Sequence, residues 1–551
     1  MAAMDGAVDS SSARKLRGAF FTPPAVCDYL VRWAVRSSED LVLEPSCGEA
    51  AFLLAATERL RDLGRHEPFV EGVELHGPSA AAADRLLRAA GAQPRIRATD
   101  FFTEPAQPRF DVVIGNPPYV RYQDFRGVSR ETALAAAAGA GVRLTKLASS
   151  WAAFTVHSAR FLRRGGRLGL VLPAELLTVN YAADIRRYLL DRFRHIRLVM
   201  FKERIFPGVL EEVVLLLAEG PGPAASCEVV QFDDTASLSG SSGTATSWVP
   251  VVTTAKWTPA LLPASGLRSY HAASTHERMS ALRDGWGETT LGMVTGNNSF
   301  FALAPSRAAE LGLADEDTIR ISPPGSRHLR SLALSGQDWR QLGEGSSTLL
   351  FRPGGEPSPA AQAYIRRGER DGVHLAYKCR VRTPWWRVPL VEPADLMLTC
   401  MNAEAPQLAA NEAAVHHLNS VHGIYLRTGR KVIGRELLPI AALNSVTLLG
   451  AELLGRTYGG GILKVEPKEA DRLPVPSAGL LQDLREALLA AVPEVRAALT
   501  AGRLPDAVEQ VDEIVLLRGL RLTLPQRRAL VHARRLLAAR RTARGRPVGG
   551  R

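Results

Sequence analysis

The chain has 551 residues, with 68 lysines and arginines against 56 aspartates and glutamates, so its formal net charge is +12. This length exceeds a typical single domain and predicts two or three domains. The basic balance favours a polyanionic partner such as nucleic acid. An Arg-, Ala- and Gly-rich composition also makes a chain basic without such a partner, so charge alone leaves both interpretations open.

Cysteines, histidines and apolar runs narrow the class of protein. The five cysteines, at positions 27, 47, 227, 379 and 400, form no C-x-x-C pair and predict neither a zinc knuckle nor a disulfide framework. His416 and His417 have no Cys or carboxylate partner at ligand spacing, so we expect no metal. Residues 1–17 lack the apolar core of a signal peptide, and runs such as 213–218 fall short of the ~20 residues of a membrane span. We therefore predict a cytoplasmic protein without a membrane partner.

Short apolar strands alternate with helical patterns over residues 14–220. This alternation predicts an α/β fold with a doubly wound, mostly parallel sheet. The predicted strands are residues 41–44, 69–74, 95–98, 112–115, 167–172, 196–201 and 213–217. The predicted helices are residues 23–36, 48–62, 78–91, 151–164 and 182–193.

The rest of the chain has a different character. Residues 235–247 are rich in Ser, Gly and Thr, which predicts a loop or linker. Residues 248–477 are irregular and predict a second domain of mixed α/β type. Residues 478–551 show helical spacing of leucines and contain no acidic residue after Glu513, so we predict a basic helical C-terminal region after a first domain at 14–235.

The first predicted helix follows Phe21 and Thr22. Thr22 is a candidate N-cap and Pro23 a candidate first helical residue. Free backbone N–H groups at such a helix start suit a carboxylate ligand. A plain capped helix explains the same pattern equally well.

Three acidic residues follow three successive predicted strands. Glu44 precedes the turn Pro45-Ser46-Cys47-Gly48, and Gly48 lets the backbone approach a ligand closely. Glu44 suits an ammonium group, and Glu74 suits the two hydroxyls of a ribose. Asp100 suits an adenine amino group and Phe101 a stacked ring. Each carboxylate alone is more often a helix cap or a solvated group.

The tetrapeptide Asn116-Pro117-Pro118-Tyr119 follows the strand at 112–115. Open α/β sheets bind ligands at this edge. The two prolines fix φ and bias the preceding residues toward extended geometry, so the loop is stiff and directs its carbonyl groups. Two acceptors and an aromatic face suit a planar ring with an exocyclic amino group.

The order of these segments resembles the gamma class of DNA adenine-N6 methyltransferases, the TaqI-like enzymes of restriction–modification systems. The resembling segments are Phe20–Pro23, Glu44–Gly48, Glu74, Asp100 and Asn116–Tyr119, then Gly165–Pro173 and Ile205–Gly208. Weaker likeness to larger members continues at Leu443–Ser445, Tyr458–Gly461 and Leu473–Pro476. The resemblance implies a class I methyltransferase domain at 14–235 and a target-recognition domain at 248–477.

The family uses S-adenosylmethionine, and the resemblance assigns a set of cofactor-binding positions. These are Phe21, Thr22, Glu44, Pro45, Ser46, Gly48, Glu74, Asp100 and Phe101. One position departs from the pattern, because many members have Gly where this chain has Ala50. We expect the extra methyl group to weaken cofactor binding at most.

The resemblance also implies a mechanism in which the target adenine leaves the duplex. The Asn116 side chain and the Pro117 carbonyl would accept from its amino group and direct the nitrogen lone pair at the methyl donor. Pro118 stiffens the loop, and Tyr119 would stack on the base. Phe206 matches a second aromatic on the other side of the base, although core packing explains it equally well. Cys47 is expected to pack rather than to act as a nucleophile.

Duplex DNA is the predicted partner, and two segments are candidates for contacting it. The first is Tyr377–Arg387, with Arg380, Arg382, Trp386 and Arg387, although core packing explains its tryptophans slightly better. The second is Leu291–Asn298, with Asn297 and Asn298. The basic C-terminal helix could follow phosphates, and a solvated tail explains it at least as well.

Other functions stay open on the sequence alone. Enzymes that methylate RNA or a protein glutamine also contain Asn-Pro-Pro-Tyr, although the basic segment after residue 248 favours DNA. A non-catalytic DNA-specificity protein with a relic site is a third possibility. No acidic cluster with a nearby lysine indicates a fused nuclease, so a restriction endonuclease would be a separate protein.

Overall fold

The computed structural model describes residues 22–120, 123–145, 148–201, 205, 212–239, 244–248 and 256–543. Phe21 and Phe206, two of the predicted site residues, lie outside this set. The chain divides into two compact units, with the boundary between Leu261 and Leu262. We call them the first and second unit.

The first unit is built on a nine-stranded sheet. Its strands are β1 (Val42–Glu44), β2 (Phe69–Glu74), β3 (Gln93–Ala98), β4 (Phe110–Gly115), β5 (Leu162–Pro173), β6 (Phe193–Phe201), β7 (Val213–Pro221), β8 (Cys227–Phe232) and β9 (Thr244–Trp248). They lie in the order β3-β2-β1-β4-β5-β7-β6-β8-β9. All seven predicted strands are present, and each observed strand matches or overlaps its predicted range.

The sheet reverses its order after β1, which creates the switch point where open α/β sheets bind ligands. Strands β1 to β5 pair in parallel, and β7 is antiparallel to both of its neighbours, β5 and β6. Strand β4 is buried along its whole length, because helices cover a doubly wound sheet on both faces. The prediction of a doubly wound, mostly parallel sheet is confirmed.

The helices of the first unit connect these strands. They are α1 (Pro24–Ala34), α2 (Ala51–Asp62), α3 (Gly77–Ala89), α4 (Gly127–Ala138), α5 (Ser150–Arg160), α6 (Glu175–Thr178) and α7 (Ala183–Arg192). Sequence reasoning missed α4, whose alanine-rich stretch carries few large apolar residues to mark a buried face. It also began α2 at residue 48, whereas the turn occupies the chain as far as Ala50.

The predicted linker at 235–247 is partly wrong. Residues 244–248 form β9, which pairs antiparallel with β8 at the edge of the sheet. Backbone pairing with an existing edge strand outweighs the weak strand propensity of a Ser- and Thr-rich segment. The sheet therefore continues two strands beyond the last predicted one.

The second unit holds smaller sheets. Its strands are β10 (Met279–Ala281), β11 (Gly287–Leu291), β12 (Ala302–Leu303), β13 (Thr318–Arg320), β14 (Leu349–Phe351), β15 (Leu396–Thr399), β16 (Met401–Asn402), β17 (Leu408–Ala410), β18 (Val421–Leu426), β19 (Arg456–Tyr458), β20 (Ile462–Lys464) and β21 (Pro474–Pro476). A four-stranded antiparallel sheet has the order β11-β18-β15-β17. The second unit also has two three-stranded sheets, with the orders β12-β14-β13 and β16-β20-β19, and one two-stranded sheet, β10-β21.

The second unit also contains helices of very different lengths. They are α8 (Ala264–Ser274), α9 (Leu282–Gly285), α10 (Asn298–Phe301), α11 (Pro305–Glu310), α12 (Gly336–Gly343), α13 (Pro359–Arg370), α14 (Tyr377–Arg380), α15 (Lys431–Ala441), α16 (Ser445–Leu454), α17 (Pro467–Ala470), α18 (Ala478–Asp483), α19 (Arg485–Thr500), α20 (Leu504–Asp512) and α21 (Leu524–Ala543). Residues 478–543 are helical, as expected, and belong to the same compact unit as residues 262–477.

One apolar feature of the second unit bears on membranes. Among the described residues, no single helix has the length and apolar character of a membrane span. A bent pair of helices, residues 428–441 and 445–454, meets those criteria only when its two parts are taken together.

Candidate active site

A cavity of about 560 Å³ opens in the first unit beside the carboxyl ends of β1, β2 and β4. It combines buried carboxylates with aromatic and backbone surfaces. Its lining includes Thr22, Glu44, Pro45, Ser46, Gly48, Glu49, Glu74, His76, Asp100, Phe101, Phe102, Asn116, Pro118, Ser150 and Phe154. The structure thus brings together all the predicted cofactor residues that it describes.

The turn after β1 is anchored to the end of β2 by Glu74. The backbone N–H of Gly48 donates to Glu74 Oε2 at 2.9 Å, and that of His76 donates to Glu74 Oε1 at 2.8 Å. The N–H of Cys47 donates to the carbonyl of Val73 at 3.0 Å. Glu74 therefore shapes the turn through both carboxylate oxygens. Sequence reasoning assigned Glu74 only the role of binding the hydroxyls of a ribose.

Cys47 lies beneath this turn as a packing residue. Its side chain is buried, and burial raises the pKa of its thiol above the usual value. A Cβ added to Gly72 in β2 would lie 2.9 Å from Cys47 Sγ, so strand and turn approach closely. A protonated thiol in this position is a poor nucleophile.

Glu44 lies at the base of the cavity. Its side chain is buried, and within the described ranges no residue forms a hydrogen bond with Oε2. Burial raises the pKa of this carboxyl well above its usual value, and the nearby charge of Glu74 acts in the same direction. A buried carboxylate with an unsatisfied oxygen suits a cationic ligand group, because the ligand would supply both the charge and the donor.

The turn also explains the departure at Ala50. Ala50 adopts φ +68°, in the left-handed region that glycine adopts more readily. Its methyl group is fully buried, and Ala50 does not line the cavity. The expectation that this methyl group weakens cofactor binding at most stays a prediction. Alanine at position 50 strains the backbone and leaves the cavity wall unchanged.

Exchanging glycine and alanine in this turn gives a testable difference in stability. Gly48 also has positive φ, +51°, and open space where a Cβ would lie. We expect Gly48→Ala to lower the free energy of unfolding by about 1–2 kcal/mol, the steric cost of left-handed backbone. Ala50→Gly should change it by less than about 1 kcal/mol, because relief of strain offsets the lost burial of a methyl group. Urea denaturation measures both, and equal losses would contradict this explanation.

Asn116 is held with one amide atom unsatisfied. Its Nδ2 donates to Thr22 Oγ1 at 3.2 Å, while its Oδ1 is buried and finds no partner in the part of the chain that the structure describes. Thr22 is not the N-cap that the sequence predicted. Pro23 takes that position without a side-chain bond, and Pro24 is the first helical residue. The hydroxyl of Thr22 instead fixes the Asn116 amide.

Ser150, at the start of α5, holds the loop that follows Asn116. Its Oγ donates to the Pro118 carbonyl and accepts from the N–H of Val120 at 2.9 Å. Its own N–H donates to the Val120 carbonyl at 3.0 Å. Three hydrogen bonds thus fix the segment that contains Tyr119. Sequence reasoning missed Ser150, because no motif marks a serine that lies so far along the chain from its partners.

Tyr119 does not line the cavity. Its ring is buried, and its hydroxyl donates to the Val171 carbonyl of β5 at 2.9 Å. Pro117 is also buried beside it. Of the tetrapeptide, Asn116 and Pro118 face the cavity. The stacking role assigned to Tyr119 stays a prediction.

Aromatic rings form the wall near Asp100. Asp100 caps a short helical turn, since its Oδ1 accepts from the N–H of Phe102 at 2.9 Å. Phe101 is buried against Phe154, with ring centroids 5.5 Å apart. Burial lowers the pKa of the adjacent His157 to about 4, so this ring is neutral and packs as an aromatic. Phe102 and Phe154 also line the cavity, and the sequence reading missed both.

Two family models match two long segments of the chain. Residues 9–241 match the model of the N-6 DNA methylases. Residues 254–516 match the model of the C-terminal domain of the Type II methyltransferase M.Eco57I. The chain is therefore similar to the N-6 DNA methylases over residues 9–241. The prediction of an adenine-specific DNA methyltransferase is confirmed, and the findings agree with the gamma class.

Two curated relatives are similar to the chain over most of its length, and one solved structure has a similar fold. The Type II methyltransferase M.XamI of Xanthomonas campestris pv. amaranthicola is 27% identical over 84% of this chain and 85% of that protein. The Type II methyltransferase M.AccI of Acinetobacter calcoaceticus is 22% identical, and the match covers 85% of this chain and 87% of that protein. The solved structure of the Type IIL restriction-modification enzyme MmeI with DNA covers 93% of this chain and 75% of its own, with a TM-score of 0.58 and 10% identity.

The two candidate DNA segments of this methylase lie side by side in the second unit. Arg382 donates to the Thr295 carbonyl at 2.7 Å and also to the Val294 carbonyl. Its guanidinium therefore links the two segments and has a structural role. Arg380 is exposed. Residues 377–380 form α14.

The remaining candidates divide between packing and exposure. Trp386 packs against the core, and Arg387 lies over its ring at 5.3 Å. Asn297 caps α10 by accepting from the N–H of Phe300 at 3.2 Å, whereas Asn298 is exposed. Of the predicted DNA contacts, Arg380 and Asn298 are thus exposed, and the others are partly buried.

Several arginines of the C-terminal helix α21 are also structural. Arg541 is 2% exposed and donates to both carboxylate oxygens of Glu452, at 2.9 and 3.1 Å. Arg527 donates to Glu509 at 2.7 Å. These two side chains have carboxylate partners within the protein. They cannot follow a phosphate backbone without breaking buried or partly buried ion pairs.

Proposed function

We propose that the cavity of the first unit transfers a methyl group from S-adenosylmethionine to the N6 amino group of an adenine extruded from duplex DNA. The observation that carries this proposal is Asn116, which lines the cavity and whose Oδ1 has no hydrogen-bond partner among the described residues. A fixed acceptor is what a neutral exocyclic amino group requires, because positive charge develops on that nitrogen as it is methylated.

The residues of the cavity fit S-adenosylmethionine. Glu44 has a buried unpartnered oxygen for the ammonium group, and Glu74 lies at the end of β2 where a ribose would bind. Asp100 and the aromatic wall of Phe101, Phe102 and Phe154 suit an adenine ring. When bound, the cofactor supplies an electrophilic methyl group on a sulfonium sulfur. The role of Phe21 rests on the family resemblance alone.

The catalytic step depends on acceptors held in place before the substrate arrives. Asn116 Oδ1 and the Pro117 carbonyl would accept from the two amino hydrogens, which draws the nitrogen toward tetrahedral geometry. Thr22 orients the Asn116 amide, and Ser150 holds the carbonyl of Pro118. The proton leaves the methylated nitrogen to water, so no protein base is required.

Stacking of the extruded base on Tyr119 requires the loop to rearrange. In the state described here its ring is buried and its hydroxyl is bonded to Val171. Phe206 is proposed for the opposite face of the base on the family resemblance. A loop that reorganises on DNA binding is common among enzymes that extrude bases.

The second unit is proposed to recognise the DNA target, and the protein to act in a restriction–modification system. The family match over residues 254–516 supports this division of labour. A separate restriction endonuclease is part of this proposal, since sequence reasoning found no nuclease cluster within the chain.

A transfer assay tests the proposed function. The protein is incubated with cofactor carrying a tritiated methyl group and with duplex DNA, RNA or cell protein. We expect label in DNA, released as N6-methyladenine after enzymatic hydrolysis. Label in RNA or in protein glutamine would instead support one of the alternatives, and no transfer at all would support the non-catalytic reading.

Cofactor binding is expected to depend on pH through Glu44. Its raised pKa means that the ligand-free carboxyl holds a proton above the usual carboxyl range. Binding a cationic group favours the carboxylate and releases that proton, so affinity should rise by up to tenfold per pH unit until the raised pKa is passed. Calorimetry in buffers of different ionisation enthalpy measures the released proton. Glu44→Gln should abolish the proton release, and an unchanged release in that variant would assign it elsewhere.

The raised pKa of Glu44 also affects stability. Cofactor affinity should rise with pH, whereas the stability of the ligand-free protein should fall. A carboxyl whose folded pKa is raised contributes stability that is present below its unfolded pKa. That contribution is lost as the pH rises through the folded pKa. The ligand-free protein should therefore lose stability over this range, while the cofactor-bound protein should not. Thermal denaturation with and without cofactor across pH measures this difference.

A further inference from the structure

Four loops of the second unit meet at one end of its four-stranded sheet. They are residues 292–299, 322–330, 377–382 and 416–420, and we call them the loop face. Strand β11 ends directly before the first loop, and β18 begins directly after the last. Because Leu291 of β11 pairs with His422 of β18, these two loops leave the sheet at the same end of the strands.

Backbone hydrogen bonds join these loops into one surface. The N–H of Met293 donates to the His417 carbonyl and that of Asn419 to the Met293 carbonyl, both at 3.0 Å. The N–H of Ser322 donates to the His416 carbonyl at 2.7 Å, and that of Gly325 to Ser420 Oγ at 3.0 Å. The loops at 292–299 and 322–330 are therefore both tied to 416–420.

Glycines allow the loops to approach closely. A Cβ added to Gly292 would overlap the carbonyl oxygen of Leu418. At Gly296, where φ is +91°, a Cβ would lie 3.0 Å from the Cβ of Lys378. Together with the bonds from Arg382 to Val294 and Thr295, this contact joins residues 377–382 to the same surface.

The loop face carries positive charge, and none of its cations forms an ion pair with another described residue. None of its residues is acidic, whereas it contains five lysines and arginines at positions 327, 330, 378, 380 and 382. Arg327, Arg330, Lys378 and Arg380 are exposed. Only Arg382 is bound to backbone carbonyls. Elsewhere in the unit many exposed arginines have carboxylate partners, such as Arg485 with Glu436 at 2.6 Å.

Side chains able to read bases lie among these cations. Asn298 and Asn419 are exposed, and they lie on two loops that the backbone hydrogen bonds of Met293 hold together. Asn298 Oδ1 accepts from Thr295 Oγ1, which fixes its amide. Tyr377 and Val381 lie on the same face and are 66% and 62% exposed. Amides can read adenine edges, and apolar groups can contact thymine methyl groups.

We propose that the loop face binds duplex DNA and reads the sequence that is methylated. Arg327, Arg330, Lys378 and Arg380 neutralise phosphates, while Asn298 and Asn419 contact base edges. The inference rests on the proposed function for the identity of the polyanion as duplex DNA. To the DNA contacts predicted from sequence it adds Arg327, Arg330 and Asn419, which no sequence motif marks. It assigns Arg382 a structural role.

The phosphate contacts are tested by binding as a function of salt. Arg327→Ala with Arg330→Ala, and Lys378→Ala with Arg380→Ala, are compared with wild type by fluorescence anisotropy on a labelled random-sequence duplex. Each double substitution should reduce the slope of log affinity against log salt by about 2, one for each phosphate contact. Cofactor affinity, measured on the same preparations, should not change and serves as the folding control.

A matched control uses exposed arginines outside the loop face. Arg528 and Arg535 of helix α21 are exposed and lie in the same unit. Arg528→Ala with Arg535→Ala should leave the salt slope within about 0.5 of wild type, because these residues contact no phosphate. An equal loss in this control, or preferential binding of duplex RNA, would overturn the assignment.

The base contacts are tested by the positions that become methylated. Genomic DNA methylated in vitro is sequenced by a method that detects N6-methyladenine, first with wild type and then with Asn298→Ala and Asn419→Ala. Each variant should methylate sites that differ at one position of the wild-type sequence. Discrimination at that position should fall about ten- to a hundredfold. Unchanged site choice in both variants would overturn base reading by the loop face.

These results separate the inference from the proposed function. If wild type methylates DNA and the loop-face variants bind and select sites as wild type does, the inference fails and the proposed function stands. If wild type transfers no methyl group to DNA, the proposed function fails. The salt slopes on random-sequence duplex then still decide whether the loop face binds DNA.

Discussion

Replacing Asn116 by alanine is expected to lower kcat by about 100- to 1000-fold, the usual effect of removing one preorganised polar group from a transition state. Cofactor affinity should stay within about twofold of wild type, because Asn116 Oδ1 is assigned to the base and not to the cofactor. Single-turnover transfer on duplex DNA measures the chemical step, and calorimetry measures cofactor binding. Wild-type turnover in Asn116→Ala would remove the proposed mechanism.

Two neighbouring substitutions show whether positioning explains the effect. Thr22→Val keeps the shape of the side chain but removes the oxygen that accepts from Asn116 Nδ2. Ser150→Ala removes the hydroxyl that bonds to Pro118 and Val120. Both should lower kcat by about tenfold, less than Asn116→Ala, since the acceptors are then present but less well held. Thr22→Ser should restore the rate, and a loss in that variant as large as in Thr22→Val would assign Thr22 to packing.

The sequence was informative where chemistry and chain order coincide. Glu44 and Glu74 end their strands, and Asp100 and Asn116 lie within two residues of a strand end. A parallel sheet must therefore bring all four to one edge. Strand periodicity located those strands, because buried parallel strands are continuous apolar runs. The cavity could therefore be predicted without any contact information.

The missed features depend on contacts between distant parts of the chain. Ser150 bonds to residues 118 and 120, and Arg382 bonds to residues 294 and 295. A serine or an arginine of this kind has no local pattern, since its partners are chosen by the fold. The buried state of Tyr119 also follows from the position of β5 and not from the tetrapeptide itself.

Replacing Glu74 by alanine is expected to raise the Kd of the cofactor by at least about 100-fold. Both carboxylate oxygens accept backbone N–H groups, Oε2 from Gly48 and Oε1 from His76. Hydrogen bonds to a charged group contribute about 1.5–3 kcal/mol each, so their loss releases the turn that bounds the cavity. The ribose contact assigned to Glu74 is lost at the same time. Calorimetry with the cofactor or its demethylated product measures the change.

Two further variants separate the shape of the turn from its charge. Glu74→Gln keeps one acceptor oxygen but sets an amide N–H₂ against a backbone N–H donor, so it should lose nearly as much affinity as alanine. Glu49→Ala removes an exposed carboxylate from the same cavity wall, for which no hydrogen bond is recorded within the described part of the chain. Its Kd should change by less than about threefold, as for a solvated charge. If Glu49→Ala weakened binding as much as Glu74→Ala, general charge in the cavity and not the anchored turn would explain cofactor affinity.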